Sequence, residues 1–124
     1  MISRLKLLPR NIIARQLNVY PPTNDVAIKK DVAIPMSDGV ILYANHYSPK
    51  ATGEFPTVLI RSPWGRGLKR APFSLLYGYV AQRFAERGYH VLLQDIRNAK
   101  DCPITQVMPH GNEVQDGKDT IHWL

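Results

Sequence analysis

The stretch with the greatest potential for chemistry is RSPWGRG, residues 61–67, which follows the short apolar run 57–60. It places a proline, a tryptophan, two glycines and two arginines in a loop directly after a predicted buried strand. In an open parallel sheet, ligands bind beyond the carboxyl ends of the strands, because the loops and helix N-termini there present unpaired amides. We therefore expect loop 61–70 to lie at the functional edge of the fold, beside a second loop at 97–108.

Two functions fit the residues of loop 61–70. Gly65 and Gly67 lie between strand and helix with three basic residues nearby, as in loops that bind phosphate at a helix N-terminus. The glycine fingerprint is incomplete, because Arg70 occupies the third position of GxGxxG and no P-loop motif is present. The other function is the oxyanion side of a hydrolase site, where hydrogen-bond donors stabilise negative charge on a substrate oxygen. A small nucleotide- or anion-binding α/β module is therefore the alternative to a hydrolase. The three basic residues are Arg66, Lys69 and Arg70.

Other residues with catalytic or metal-binding potential show no motif. The sequence contains no GxSxG, Ser62 and Ser74 are not flanked by glycines, and Cys102 precedes Pro103 in a polar loop. The histidines have neither the HExxH nor the HxH spacing of zinc sites, so no metal site is predicted. They are His46, His90, His110 and His122.

Two patterns predict the elements that position loop 61–70. Alternation of apolar and polar residues from 26 to 36, a Ser-Asp-Gly turn and a returning segment at 40–47 predict an antiparallel hairpin. Nearly continuous apolar runs at 57–60 and 90–96 are typical of strands that are covered on both faces. An apolar stripe between these runs predicts a core-facing helix, so strand, helix and strand form a right-handed βαβ unit. The stripe consists of Phe73, Leu76, Tyr77, Val80 and Phe84.

A second helix is predicted from Asn112, whose side chain is expected to cap it. Val114, Ile121 and Leu124 are expected to face the sheet. The apolar pattern runs to the last residue without a C-terminal cap, so we expect the chain to be the N-terminal half of a larger domain. The predicted fold class is α/β, with an antiparallel hairpin followed by parallel strands.

Composition indicates one globular domain preceded by a basic arm. The chain has 124 residues, 44% of them hydrophobic, and a net charge of +6. The basic residues are scattered, which favours a solvated surface over a nucleic-acid site. A single cysteine excludes an internal disulfide and favours a reducing compartment, the cytoplasm. Residues 1–22 form an amphipathic pattern with no acidic residue, and we expect this arm to lie on its own domain, residues 23–124, or on a membrane surface.

Four sequence blocks in the same order resemble the cocaine-esterase and X-prolyl dipeptidyl-peptidase-like α/β-hydrolases, the CocE/NonD family. They are DVAIPMSDGVILYANHYSP, FPTVLIRSPWGRG, FAERGYHVLLQDIRN and NEVQDGKDTIHWL, and they cover most of residues 31–124. The resemblance implies a serine hydrolase that cleaves small esters or X-prolyl amides of peptides through an acyl-enzyme, without a cofactor. It implies a GxSYxG nucleophile beyond Leu124, with the catalytic Asp and His later still, so the chain alone is expected to be inactive.

The resemblance also assigns roles to the loop and shows two departures from the family. The R-x-P-Y motif, whose tyrosine donates to the oxyanion, matches Arg61, Pro63 and Trp64, with Gly65 next in the site loop. An indole N–H donates a hydrogen bond but differs from a phenol in position and acidity. Trp64 is therefore the oxyanion-hole candidate, with packing in the acyl pocket as its alternative role. The second departure is NAKDCP at 98–103, where the family has a glycine-rich R-G-x-x-x-S-x-G loop.

Overall fold

The computed structural model of the protein describes residues 10–12, 14–66, 71–97, 99 and 112–124. These residues form a four-stranded sheet with two long helices, and residues 10–12 and 14–16 are also helical. In chain order the elements are β1 (Val26–Pro35), β2 (Ile41–Pro49), β3 (Thr57–Ser62), α1 (Phe73–Ala85), β4 (His90–Asp95) and α2 (Glu113–Trp123).

The sheet has the strand order β1-β2-β4-β3. β1 and β2 form the predicted antiparallel hairpin, β2 pairs antiparallel with β4, and β3 pairs parallel with β4. A polar connection at 50–56 separates the hairpin from β3, and α1 joins β3 to β4. The predicted α/β fold class, with a hairpin and a βαβ unit, is therefore confirmed.

The hairpin is irregular where Lys30 interrupts the alternation of β1. Its register against β2 shifts between Lys29 and Val32, and Asp31 takes a positive φ of 55° there. The backbone N–H of Asp31 donates to the side-chain oxygen of Asn45 on β2 at 3.2 Å. This bulge turns Asp31 out of the regular ladder of hydrogen bonds, and its carboxylate pairs with Arg66 in the loop after β3.

β4 is the centre of the core, because its side chains alternate between two buried faces of the sheet. On one face of the sheet, Leu92 packs against side chains of the hairpin. On the other face, which α1 covers, Val91 and Leu93 pack against the helix. The continuous apolar run of β4 is thereby explained. The first cluster is Ile34, Met36, Leu42, Ala44 and Leu92, and the second is Tyr47, Ala81, Ala85, Val91 and Leu93.

The predicted core stripe of α1 is wrong for three of its five members. Phe73, Leu76 and Phe84 are between 40% and 56% exposed, while Tyr77 and Val80 are half-buried. The helix instead packs through small side chains, which let its backbone approach the sheet closely. The contact is tight enough that a Cβ added at Gly78 would lie 3.3 Å from the Tyr47 hydroxyl. The buried residues of α1 are Ser74, Ala81 and Ala85.

The predicted sheet-facing side of α2 is also wrong. Val114, Ile121 and Leu124 are all more than half exposed, and Asp116 and Thr120 are fully buried instead. A polar face can be buried when each of its polar groups finds a partner, and the ends of β3 and β4 supply these partners. The helix does follow Asn112 as predicted, but the Asn112 side chain makes no capping hydrogen bond.

The N-terminal arm contacts its own domain through Arg10. Arg10 Nε lies 2.9 Å from the buried carboxylate of Glu86, and Arg10 Nη2 donates to the Asn24 carbonyl oxygen at 3.0 Å. Ala14 is buried as well. Contact of the arm with a membrane surface stays a prediction. Among the described residues, no helix has the length and apolar character that crossing a bilayer requires.

Candidate functional site

The loop after β3 turns sharply at the carboxyl edge of the parallel strands. The fully buried Ser62 hydroxyl accepts a hydrogen bond from the backbone N–H of Trp64 at 3.1 Å, across the half-buried Pro63. The Ser62 carbonyl oxygen accepts another from the Ile96 N–H at 3.1 Å. Gly65 is buried with φ 73°, a conformation that glycine adopts without strain. Ser62 therefore acts as a turn-forming residue that fixes the backbone around Trp64.

Trp64 carries two N–H donors, one in the backbone and one in its indole. Its backbone N–H is used by Ser62, and in the described part of the chain its indole N–H contacts no acceptor. The half-buried indole stacks on Phe73, the first residue of α1, with ring centroids 4.7 Å apart and 24° between the ring planes. Stacking fixes the plane of the indole, so the geometry fits a donor role and a packing role alike.

Arg66 ties the loop to three strands. Its side chain is 7% exposed, with Nε 2.9 Å from Asp95 Oδ2 and Nη1 3.1 Å from Asp31 Oδ1. Nη1 also donates to the side-chain oxygen of Asn45. The sequence pattern groups Arg66 with an anion site and gives no sign of these partners. The interruption of β1 at Lys30 is the one available signal, because the resulting bulge presents Asp31 to the loop.

Arg61 extends away from the loop and holds α2. Its Nε donates to Gln94 Oε1 at 2.9 Å, and Nη1 donates to the carbonyl oxygen and to the carboxylate of Glu113 at 2.8 and 2.7 Å. Arg61 and Arg66 are thus both paired with carboxylates, so the described contacts give the anion-binding alternative no support. The remaining glycine and basic positions of the loop lie outside the described residues; they are Gly67, Lys69 and Arg70.

A polar cluster fixes α2 over the same edge of the sheet. Arg97, which follows β4, donates to both carboxylate oxygens of Asp116 at 2.7 Å, and its Nη1 lies 2.7 Å from Asp38 Oδ2. Hydrogen bonds to Asp116 and then to Asp38 raise the pKa of Arg97, and the bond from Arg97 lowers the pKa of Asp38. Beside this cluster, Gln94 Nε2 donates to the Thr120 hydroxyl at 2.9 Å. These contacts account for the buried polar face of α2.

The remaining residues with catalytic or metal-binding potential lie in the helices, in the strands or outside the described residues. Ser74 is buried within α1, and His122 is exposed in the last turn of α2. Over the ranges that the structure describes, no group of three His, Cys, Asp or Glu side chains could hold a metal ion. Cys102 and His110 lie outside the described residues.

His46 and His90 form a hydrogen-bonded pair on the neighbouring strands β2 and β4. His46 Nε2 and His90 Nδ1 are hydrogen-bonded at 3.0 Å, at the end of β4 opposite to loop 61–70. Burial, followed by the charges of His90 and Lys29, lowers the pKa of His46 below its usual 6.5. The unfolded chain therefore binds this proton more tightly than the folded chain. The free energy of unfolding is expected to fall as the pH drops below 6.5 and to level off below the lowered pKa.

Urea denaturation on both sides of pH 6.5 measures this loss for the wild-type chain and two variants. His46→Phe keeps a ring of similar size without a titrating group, so its free energy of unfolding should depend less on pH. His122→Gln removes an exposed histidine and should leave the pH dependence unchanged. If the free energy of unfolding depended on pH equally in His46→Phe and in the wild type, His46 would not be the source of the loss of stability in acid.

This chain is similar to a family of peptidases and to proteins named as esterases and hydrolases. The profile of the X-Pro dipeptidyl-peptidase (S15) family matches residues 38–124. The cocaine esterase of Rhodococcus sp. (strain MB1 Bresler) is 30% identical over 98 residues, which are 79% of this chain and 17% of that protein. A solved α-amino acid ester hydrolase is 30% identical with a TM-score of 0.55, covering 82% of this chain and 19% of that one.

A CocE/NonD family hydrolase from Staphylococcus aureus shares the fold at 20% identity. Its TM-score is 0.58, over 79% of this chain and 20% of that chain. The chain therefore spans between 17% and 20% of the length of these three relatives. The match begins at residue 38, so β1 and the arm lie outside the family profile.

Proposed function

The chain belongs to the X-Pro dipeptidyl-peptidase (S15) family of hydrolases, and from this premise we propose that its β3–α1 loop forms the oxyanion side of a serine hydrolase site. The observation that carries the proposal is the position of Trp64. It lies at the carboxyl edge of parallel strands, on a fixed turn, and its indole N–H contacts no acceptor among the described residues. A donor in this position can serve a negatively charged substrate oxygen.

In the proposed reaction, a serine alkoxide attacks the carbonyl carbon of the substrate, and the carbonyl oxygen becomes negatively charged. Trp64 donates its indole N–H to this oxygen. The base that removed the serine proton gives it to the leaving alcohol or amine as the bond from that group to the carbonyl carbon breaks. Water then converts the acyl-enzyme into the free acid and the free serine. The serine, the base and its carboxylate partner are not assigned to residues of this chain, which contains no GxSxG.

Three contacts support the donor role of Trp64, because they hold the loop in place before negative charge develops on the substrate oxygen. Ser62 fixes the backbone of Trp64, Phe73 fixes the plane of its indole, and Arg66 anchors the next turn to Asp95. An oxyanion donor is most effective when it needs no rearrangement during the reaction. Arg61 contributes indirectly, because it joins the start of the loop to Glu113 of α2.

We assign the substrate class from the named relatives. The family name refers to X-prolyl dipeptides, and the two relatives at 30% identity are named as esterases of cocaine and of α-amino acid esters. Esters and X-prolyl amides share a carbonyl that forms the same tetrahedral intermediate. The proposed substrate is therefore a small ester or an X-prolyl amide of a peptide.

The 124-residue chain alone is expected to release no p-nitrophenol from p-nitrophenyl acetate above the rate of a heat-denatured control. The reason is chemical: oxyanion stabilisation without a nucleophile gives no acyl-enzyme. Absorbance of p-nitrophenolate, measured with and without phenylmethylsulfonyl fluoride, tests this expectation. Turnover that this inhibitor abolishes would show that the chain carries its own serine nucleophile and would contradict the expectation that the chain alone is inactive.

A further inference from the structure

A groove of about 850 Å³ lies between the N-terminal arm and the end of α1. Residues 17–21 and Thr23 form one wall, and the other wall includes Phe84 and Tyr89. α1 runs from the edge that carries Trp64 to the opposite edge of the sheet, so the groove is separated from loop 61–70 by the length of the helix, roughly 20 Å. Its volume falls within the range of roughly 300–1,000 Å³ that small-molecule sites have.

The groove carries an excess of positive charge. Arg10, Arg83 and Arg87 all line it. Behind them lies one buried carboxylate, Glu86, which pairs with all three. Its Oε1 is 2.9 Å from Arg10 Nε and 2.8 Å from Arg83 Nη2, and its Oε2 is 3.8 Å from Arg87 Nη1. Among the described residues, the other carboxylate paired with these guanidinium groups is the half-exposed Asp25, 3.6 Å from Arg10 Nη1. Three cations therefore face two carboxylates, and the region stays net positive.

The arginines are held in place and still have donors to offer. Arg87 Nε donates to the Tyr20 carbonyl oxygen and Nη1 to the Arg83 carbonyl oxygen, both at 2.8 Å. The Arg83 guanidinium lies 4.7 Å from the centre of the Tyr79 ring. A guanidinium has five N–H donors, and among the described residues the two on Arg87 Nη2 have no partner. Pre-ordered side chains bind a ligand at a smaller entropic cost.

The body of the groove is apolar and open to solvent. Leu17 is 62% exposed and Val19 is 47% exposed on the arm, and Phe84 is 40% exposed on α1. The Phe84 ring meets Tyr89 edge to face at 5.6 Å, which keeps one flat wall in position. Covering apolar surface of this kind with a hydrocarbon body is favourable in water.

We propose that this groove binds a small amphipathic carboxylate, with an alkyl body against Leu17, Val19 and Phe84 and a carboxylate on Arg83 and Arg87. Charge complementarity selects an anion, and the apolar wall selects a hydrocarbon body over an inorganic ion. Bidentate pairing suits a guanidinium and a carboxylate in particular. The site is independent of the proposed hydrolase function, because it lies at the other edge of the sheet.

Calorimetric titration of the 124-residue chain with sodium decanoate, below its micelle concentration, tests this site. We expect saturable binding of one decanoate per chain. Decylammonium, which has the same hydrocarbon body and the opposite charge, is expected to bind at least about 10-fold more weakly, the effect of roughly one charge-assisted hydrogen bond. This comparison uses the unmodified chain, so it does not depend on the folding of any variant.

Two pairs of variants locate the binding site. Arg87→Gln should weaken decanoate binding about 10-fold, since a charge-assisted contact is lost, whereas Lys118→Gln, an exposed charge on α2, should have no effect. Phe84→Ala should weaken binding too, whereas Leu75→Ala, exposed elsewhere on α1, should not. No saturation, equal affinity for the two ligands, or equal losses within either pair would overturn the proposal. Binding to anionic phosphatidylglycerol vesicles without binding to free decanoate would overturn it in favour of a membrane surface.

Discussion

Replacing Asp116 by asparagine is expected to lower the free energy of unfolding by about 3 kcal/mol, the lower end of the range for breaking a buried ion pair. Asp116 is fully buried and accepts two hydrogen bonds of 2.7 Å from Arg97. An asparagine of the same shape has no charge, and its amide N–H₂ would face the donors of the guanidinium. The lower end of the range applies because Arg97 keeps its second partner, Asp38.

Urea denaturation of the chain measures this effect as a shift of the unfolding midpoint at constant slope. Asp119→Asn is the matched control on the same helix. Asp119 also accepts hydrogen bonds, from the N–H and hydroxyl of Ser37 at 2.8 and 2.7 Å, but it lies at the surface. A distinctly smaller loss is expected for this control, because water replaces its lost contacts. Equal losses in the two variants would mean that α2 is not held by the buried pair.

The sequence predicts the strands of this fold much better than the helix faces. The alternation of β1 and the continuous runs of β3 and β4 depend on local periodicity, which survives in the folded chain. The buried side of α1 is built from Ala81 and Ala85, which no apolar stripe distinguishes from a surface position. For α2, the burial of Asp116 depends on Arg97, a partner 19 residues away whose position the sheet determines.

In the candidate site, too, the sequence predicts some features and misses others. The order of strand, loop and helix is enough to place Trp64 at the carboxyl edge, because the topology of a βαβ unit fixes that edge. The anchoring of Arg66 could not be predicted, since Asp31, Asn45 and Asp95 lie on three different strands. Like-charged and oppositely charged residues are spread along the whole chain, and their spacing in sequence does not show which of them meet.

Removing the indole N–H of Trp64 is expected to lower kcat for ester hydrolysis by about 10²–10³-fold, the effect of losing one oxyanion donor. The effect can be measured in a chimera in which residues 38–124 replace the matching segment of the Rhodococcus cocaine esterase. Trp64→Phe keeps an aromatic ring against Phe73 and removes the donor. Trp123→Phe, in the partly exposed last turn of α2, is the matched control and should leave kcat unchanged. Thermal melting of each chimera separates a loss of the donor from a loss of folding.

The most direct test of the oxyanion assignment is the ratio of kcat values for p-nitrophenyl acetate between the Trp64→Phe chimera and the unmodified chimera. We expect a fall of about 10²–10³-fold with little change in KM, because the donor acts on charge that develops in the transition state. An unchanged kcat in a folded Trp64→Phe chimera would show that Trp64 only packs against Phe73, and the assignment of this loop to the oxyanion would then be wrong.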